Sequence, residues 1–289
     1  MPPPQRIVIT GAGGQVGSFL AARAADQGRD VLALTSERCD ITDADAVDTL
    51  ELRPGDVLVN CAAYTKVDAA ETDRDRAFAV NAAGPGRLAA ACARASARLI
   101  HISTDYVFDG EFGGAPPRPY EPGDPTRPLS VYGSTKLAGE NAVLAASTDA
   151  VVARTAWVYT GAVGGSDFVA VMRDRAAGDA TLDMVADQTG SPTYVGDLAD
   201  ALLALADAPS TARVLHAANA GAVSRYEQAR AVFTAVGADP ERVRPISSAA
   251  QPRPAARPRY SALSGVESAR AGLAPLRWWS DALAAALAR

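Results

Sequence analysis

The stretch "RIVITGAGGQVGSFLAARAADQG", residues 6–28, decides the fold. "RIVIT" (6–10) is rich in β-branched residues and stops at a glycine cluster. The alanine-rich "QVGSFLAARAADQG" (15–28) follows and ends in glycine, as a helix does. Between strand and helix the glycines fall as Gly11-x-x-Gly14-x-x-Gly17, with Gly13 inside the pattern. Glycines there permit a tight turn and a close approach of backbone to a pyrophosphate, and the helix N-terminus offers free N–H groups and a positive dipole end. An ordinary turn also fits a bare glycine pattern. Its place directly between a strand and a helix favours dinucleotide binding.

Working outward, "VLALT" (31–35), "DVLVNCAA" (56–63), "RLIHIST" (98–104) and "AVVARTAWVY" (150–159) read as further buried strands. "DRAFAVNAAGPGRLAAACARASA" is a long helical segment with a Gly-Pro-Gly interruption. Continuous apolar strands alternating with helices predict α/β architecture: a Rossmann-type, doubly wound parallel sheet covered on both faces. The second half is less regular. "GDLADALLALADAP" (196–209) is an amphipathic helix, "RVLHAANAG" (213–221) a strand and turn, and "WWSDALAAALAR" a closing helix. "QPRPAARPRYS" (251–261) is too rich in proline to be helical. Residues 1–160, with 194–210 packing back, are expected to form the dinucleotide-binding domain. Residues 161–193 and 211–289 form a smaller, mixed substrate-binding lobe over the carboxyl edge of the sheet.

Composition narrows the function. A chain of 289 residues, 48% hydrophobic and 21% charged, suits a globular protein with a full core. The formal net charge is −5 and no basic block stands out, which argues against nucleic acid as a partner. "MPPPQRIVIT" has no signal-peptide core, and no apolar run reaches the roughly 20 residues needed to span a bilayer, so a cytoplasmic protein without a membrane partner is expected. Cys39, Cys61 and Cys92 are odd in number and lack metal spacing, and His101 and His216 are the only histidines. No metal is expected.

The second strand ends without the acidic residue that would hold a free ribose 2′-OH. It ends in Thr35, followed by Ser36, Glu37 and Arg38. A hydroxyl pair and an arginine suit a 2′-phosphate, and a plain surface turn is the alternative. Asp40 or Thr42 can cap a helix, and Asp40 can also meet the adenine amino group.

"VYGSTKLAGE" (131–140) places Tyr132 and Lys136 four residues apart on one helix face. Among 28 basic residues only Lys66 and Lys136 are lysines. A compact ammonium beside a phenol stabilises the phenolate, and each unit of pKa shift is worth about 1.4 kcal/mol. The pair can then move a proton near neutral pH. Y-x-x-x-K alone is common on solvated helix faces. Its position after a dinucleotide loop, with a strand ending in Ser103-Thr104 between them, favours chemistry. Thr104 can hydrogen-bond a substrate carbonyl. Lys66 has no comparable reading.

With the glycine loop, "NCAAYTKVDAAE", "STDYVFDG", "YGSTKLAGE", "RTAWVY" and "DQTGSPT" in view, the chain resembles the extended short-chain dehydrogenase/reductases, and within them the dTDP-4-dehydrorhamnose reductase family. The resemblance runs from about residue 6 to the C-terminus. It implies hydride delivery from NADPH or NADH to C4 of a 4-keto dTDP-sugar, the last step of dTDP-L-rhamnose synthesis; the turn at Thr35, Ser36 and Arg38 favours NADPH, with NADH also accepted. Tyr132 would donate the proton, Lys136 would tune it and hold a ribose, and Thr104 would polarise the carbonyl. By family position, Gly14, Gln15 and Val16 would contact the pyrophosphate, and Thr35, Asp40 and Ile41 the adenosine end. Ala62, Ala63, Tyr64, Thr65 and Ile102 would line the cofactor channel. Val67, Thr104, Asp105, Tyr106, Tyr132 and Trp157 would surround the sugar, with core packing as the alternative for Trp157 and a turn cap for Asp105.

Some members dimerise around magnesium held by glutamates on the first and last helices, but "QVGSFLAARAADQG" and "WWSDALAAALAR" contain none. That mode is therefore not expected, and monomer and homodimer both stay open. Two other functions compete: a 4-ketoreductase for another dTDP-deoxyhexose, and a non-catalytic NADP-binding regulatory subunit like the β subunit of methionine adenosyltransferase. The intact threonine, tyrosine and lysine argue against the second.

Overall fold

The computed structural model describes residues 6–288; the start of the 1–160 assignment and half of "MPPPQRIVIT" lie outside the described residues. In chain order the elements are β1 (Ile7–Thr10), α1 (Gln15–Asp26), β2 (Val31–Leu34), α2 (Ala44–Asp48), β3 (Val57–Asn60), α3 (Arg74–Phe78), α4 (Gly84–Ala95), β4 (Arg98–Thr104), α5 (Val131–Ala146) and β5 (Val151–Thr155). Then come β6 (Val158–Tyr159), α6 (Phe168–Ala176), β7 (Leu182–Val185), β8 (Thr189–Gly190), β9 (Thr193–Tyr194), α7 (Val195–Asp207), β10 (Val214–His216), β11 (Val223–Ser224), α8 (Arg225–Ala235), β12 (Val243–Ile246), α9 (Val266–Arg270) and α10 (Trp279–Leu287).

Six strands form one sheet in the order β2-β1-β3-β4-β5-β10, every neighbouring pair parallel. Successive side chains of a strand point to opposite faces. Ile7 and Ile9 accordingly enter a core with Leu20 of α1 and Leu198 and Leu202 of α7, while Val8 enters a second core with Leu88 of α4 and Val143 of α5. Both faces are covered, so the strands are apolar throughout. The order reverses between β1 and β3, and a crevice opens at the carboxyl ends of these strands.

A third core holds Val169 and Met172 of α6, Val232 and Phe233 of α8, and Leu283 of α10. Val16 and Phe19 of α1 pack against it, which ties this lobe to the first helix. The proline-rich 251–261 stretch contains no α-helix. It lies over the loop after β3, where Ala255 N–H donates to Asp68 Oδ1 (3.1 Å) and Arg257 pairs with the same carboxylate.

Three expectations change. The stretch 150–159 is two strands, because Trp157 adopts φ +48° and breaks the extended backbone; β6 then pairs with β9 outside the main sheet. Residues 214–216, expected in the smaller lobe, pair with β5 as the sixth strand. The Gly-Pro-Gly segment does not interrupt its helix: α3 passes through one π-helical turn, Ala79–Ala83, into α4, with Pro85 in the first turn of α4. Pro85 has no N–H to give to the ladder, and the π-helical turn directly before it is where the continuous helix takes up that loss.

Candidate active site

The glycine loop builds one wall. Gly11 has φ +69°, and a Cβ on Gly17 would lie 2.3 Å from the Gly11 carbonyl oxygen, so helix and turn meet this closely only without side chains. Gly14 caps α1 without a side-chain hydrogen bond, and the first turn holds no acidic residue. Its first N–H groups have no intrahelical acceptor and suit an anion.

The opposite wall comes from α5. Ser130 Oγ accepts from Gly133 N (3.1 Å), and Glu71 Oε1 accepts from Val131 N (2.9 Å), which together fix where the helix begins. One turn apart, Tyr132 and Lys136 reach a cavity of about 380 Å³. Farther along, Glu140 receives two bonds from Arg154 of β5, at 2.9 and 2.7 Å, both side chains being almost fully buried. This pair fixes the helix against the sheet. Thr104 ends β4; its hydroxyl accepts from Tyr106 N (3.2 Å) and donates to Asp105 Oδ1 (3.1 Å).

The cavity brings together Gly14, Gln15, Val16, Ala62, Ala63, Thr65, Ile102, Thr104, Tyr132, Lys136 and Trp157 from the predicted set. Gly11, Gly13 and Gly17 shape the turn beneath it. Tyr64 is held outside the lining by Asn81, which accepts from its N–H (2.8 Å) and donates to its carbonyl (3.0 Å). Val67 is partly buried and is not part of the lining. Asp105 is buried behind Thr104, its carboxylate accepting from Ser261 Oγ (2.5 Å). It therefore orients Thr104, which itself caps the following turn. Tyr106 sits edge-on to Tyr132, centroids 5.6 Å apart, and lines a neighbouring pocket.

At the end of β2, Thr35 flanks Gly13, and Ser36 and Arg38 are exposed. Arg38 donates to the Ala33 carbonyl (3.0 Å). Asp40 accepts from both N–H and hydroxyl of Thr42 (2.9 and 2.8 Å), which holds its carboxyl below the usual range. The capping expectation for Asp40 or Thr42 is corrected: Asp43 caps α2, accepting from Asp45 N at 2.9 Å. Ile41 is 3% exposed and packs in the core beneath Gly84.

The electrostatics also depart from expectation. Lys136 is 2% exposed and donates to the Ile102 carbonyl (2.7 Å), turned away from the phenol. Burial lowers its pKa to about 8, against the opposing pull of Glu140. Tyr132 is raised, not lowered: burial dominates, and the Thr104 hydroxyl only partly offsets it. In this arrangement the phenol is a firmly protonated donor.

Several residues at the site carry no sequence signal. Asn60 Oδ1 accepts from Thr10 Oγ1 (2.8 Å) and Ala62 N (3.1 Å), which turns its amide NH₂ to His101 Nδ1 (3.0 Å). His101 Nε2 then lies 3.5 Å from Lys136 Nζ. Asn81 also reaches Thr135 Oγ1 (3.0 Å), joining the π-helical turn to α5. Ser103 and Thr155 place hydroxyls without a protein partner in the cavity lining. Among the described residues no group of three His, Cys, Asp or Glu is placed to hold a metal, and no helix is long and apolar enough to cross a membrane.

The family model and the most similar relatives agree on one family. The model of the RmlD substrate binding domain matches residues 5–289. A dTDP-4-dehydrorhamnose reductase of Mycobacterium tuberculosis is 66% identical over 98% of this chain and 93% of its own. The crystal structure of a dTDP-4-dehydrorhamnose reductase from Clostridium acetobutylicum superposes with TM-score 0.90 at 35% identity, over 98% of this chain and 99% of the other. That of a Bacillus anthracis dTDP-4-dehydrorhamnose reductase, in complex with NADP, gives TM-score 0.89 at 34% identity over 97% of each. With its glycine loop, tyrosine, lysine and threonine around one cavity, the chain belongs to the RmlD substrate binding domain family, that of the dTDP-4-dehydrorhamnose reductases.

Proposed function

We propose that this protein reduces the C4 keto group of dTDP-4-dehydro-L-rhamnose to dTDP-L-rhamnose, using NADPH and also accepting NADH. The observation that carries the reading is one cavity lined at once by the uncapped N-terminus of α1 and by Thr104, Tyr132 and Lys136. The first-turn N–H groups at Gly14, Gln15 and Val16 would hold the cofactor pyrophosphate, and Thr35, Ser36 and Arg38 the 2′-phosphate. Ala62, Ala63, Thr65 and Ile102 would line the channel, and Lys136 would hold the ribose beside the nicotinamide. Bound there, NADPH supplies the hydride.

The remaining chemistry belongs to the chain. Tyr132 donates a hydrogen bond to the C4 carbonyl oxygen, and Thr104 does the same once its single O–H turns from Asp105 Oδ1 to the substrate. As charge develops on that oxygen, the Tyr132 phenol gives it a proton. Lys136, the buried cation of this wall, favours the phenolate that remains once its ammonium turns from the Ile102 carbonyl toward it. Among the described residues, 6–160 with 194–216 would form the cofactor-binding part of this scheme, and 161–193 with 217–288 the substrate-binding part. The three free cysteines suit the reducing cytoplasm.

The test is oxidation of NADPH in the presence of dTDP-4-dehydrorhamnose. Turnover is expected with that sugar. Turnover confined to a different dTDP-4-keto-deoxyhexose would move the assignment to that sugar, and tight cofactor binding without any turnover would favour a regulatory subunit.

A further inference from the structure

Three strands carry a polar row across the sheet face that α5 covers. Thr10 of β1 stands in register with Asn60 of β3, and Asn60 with His101 of β4. All three are fully buried. The row ends at Lys136 of α5, whose Nζ lies 3.5 Å from His101 Nε2. His101 is not part of the cavity lining, whereas Lys136 is. Whatever His101 contributes to the reaction therefore passes through Lys136.

Donor and acceptor roles along the row are fixed from one end. The Ala62 N–H can only donate, and Asn60 Oδ1 accepts from it (3.1 Å) and from Thr10 Oγ1 (2.8 Å). The Asn60 amide nitrogen therefore faces His101 Nδ1 (3.0 Å), and an amide nitrogen only donates. Nδ1 must accept. Burial, helped by the charge of Lys136, holds the His101 pKa well below the ordinary histidine value, so the ring is neutral. Its single proton then sits on Nε2 and points at Lys136 Nζ. An ammonium has three donors and no acceptor. Two donors meet there when Lys136 is charged, and a hydrogen bond forms only when Nζ is the neutral amine.

The other titratable groups facing Lys136 do not supply a partner. Glu140, one turn on in α5, favours the ammonium from a distance, but its carboxylate is paired with Arg154. Burial pushes the Cys61 thiol, after β3, up to about 12, and raises Tyr132 of α5 as well, so both are neutral. Among the described residues the ammonium keeps one acceptor, the Ile102 carbonyl. We propose that His101 is a positioning residue of the reaction: held by Asn60 with its proton on Nε2, it denies the Lys136 ammonium a second partner inside the protein and so directs the charge to the phenol and the cofactor. This deepens the reductase reading above and rests on it. Were Nε2 an acceptor, the ammonium would be locked between ring and carbonyl, and turning toward the cavity would break two bonds in place of one.

With two histidines and two lysines in the whole chain, NMR on isotope-labelled protein can follow single side chains. Long-range nitrogen spectra of histidine-labelled wild type should show His101 with a bare Nδ1 and a protonated Nε2. Lysine-labelled protein should titrate Lys136 at about 8, with Lys66→Arg at the exposed second lysine for assignment. His101→Gln lets a carbonyl oxygen face Nζ, and Asn60→Asp turns the ring to its Nδ1–H tautomer, so that Nε2 accepts. Each variant should raise the Lys136 midpoint, and with it the alkaline limb of kcat/KM, by about one pH unit or more. A merely structural defect would lower kcat/KM at every pH and leave the limb in place. A protonated Nδ1 in wild type, or an unmoved midpoint in His101→Gln, overturns the proposal. Should His101→Gln not fold, Asn60→Asp decides: a reversed tautomer with a raised midpoint supports the role, and a reversed tautomer with an unmoved midpoint overturns it. The spectra need no substrate, so a wild type that fails to reduce the dTDP-keto sugar would sink the reductase reading and leave the His101–Lys136 contact to be judged separately.

Discussion

At the glycine-loop end of the cavity, what meets a ligand is mostly backbone: the N–H groups that open α1 and the small residues Cys61, Ala62 and Ala63 after β3. At the far end it is side chains, Thr104, Tyr132 and Trp157, delivered from β4, α5 and the β5–β6 break. The first end is made by two strand–loop junctions that are neighbours in the sheet. The second exists only when three distant segments pack together. Backbone groups impose the same geometry on any dinucleotide, whereas side chains choose a sugar and do chemistry on it. The two ends should therefore fail differently when altered.

The largest separation comes from Tyr132→Phe. Loss of the phenolic proton should lower kcat by about a hundredfold or more, with the Kd for NADPH nearly unchanged. Stopped-flow turnover and cofactor titration on the same sample check it; a kcat near wild type would remove Tyr132 from the chemistry.

Next comes the support behind the side-chain end. Glu140→Ala leaves Arg154 buried and unpaired, and should cost about 3–5 kcal/mol in urea unfolding. A loss below about 1 kcal/mol, the range of exposed pairs, would mean that the pair is solvated in solution.

Lys136 offers a comparison in pH. Its proton affinity is lowered to about 8, so kcat/KM should fall as pH rises through that value and the ammonium is lost. Stability should move the other way. A lysine whose folded pKa lies below its unfolded one costs stability below the folded value, and the cost is relieved as pH rises from about 8 toward 10.5. Lys136→Met should flatten that part of the stability profile of the cofactor-free protein, and an unaltered profile would place the titration elsewhere.

Smaller effects separate the ends again. Gly190→Ala crowds Trp157, an overpacking of about 1–3 kcal/mol, and should raise KM for the nucleotide sugar while sparing cofactor affinity. Arg38→Ala does the reverse. Its guanidinium is exposed, so the loss is limited to about 1 kcal/mol, seen as a modest rise in KM for NADPH and none for NADH. Equal losses with both cofactors would make Arg38 a support for the Ala33 carbonyl it already bonds.

The sequence by itself determined the parallel sheet, the glycine turn and the pairing of Tyr132 with Lys136. Each rests on a short-range rule: apolar runs of strand length, glycines between strand and helix, and i to i+4 spacing on one helix face. Thr104 was legible for the same reason, as the last residue of an apolar run. Tertiary structure decided the rest. The left-handed backbone of Trp157 breaks what reads as one strand, and the three residues of β10 are too few to show a period. The direction of Lys136, toward the Ile102 carbonyl and His101, follows from burial beneath β4, and burial of Tyr132 itself reverses the shift expected there. Asp105, next to Thr104 in sequence, is turned away from the cavity by Ser261, which is 156 residues distant. His101 reads in sequence as a histidine inside an apolar strand. Its meaning depends on which donors and acceptors surround it, and desolvation and hydrogen-bond pairing are properties of packing that no local pattern encodes.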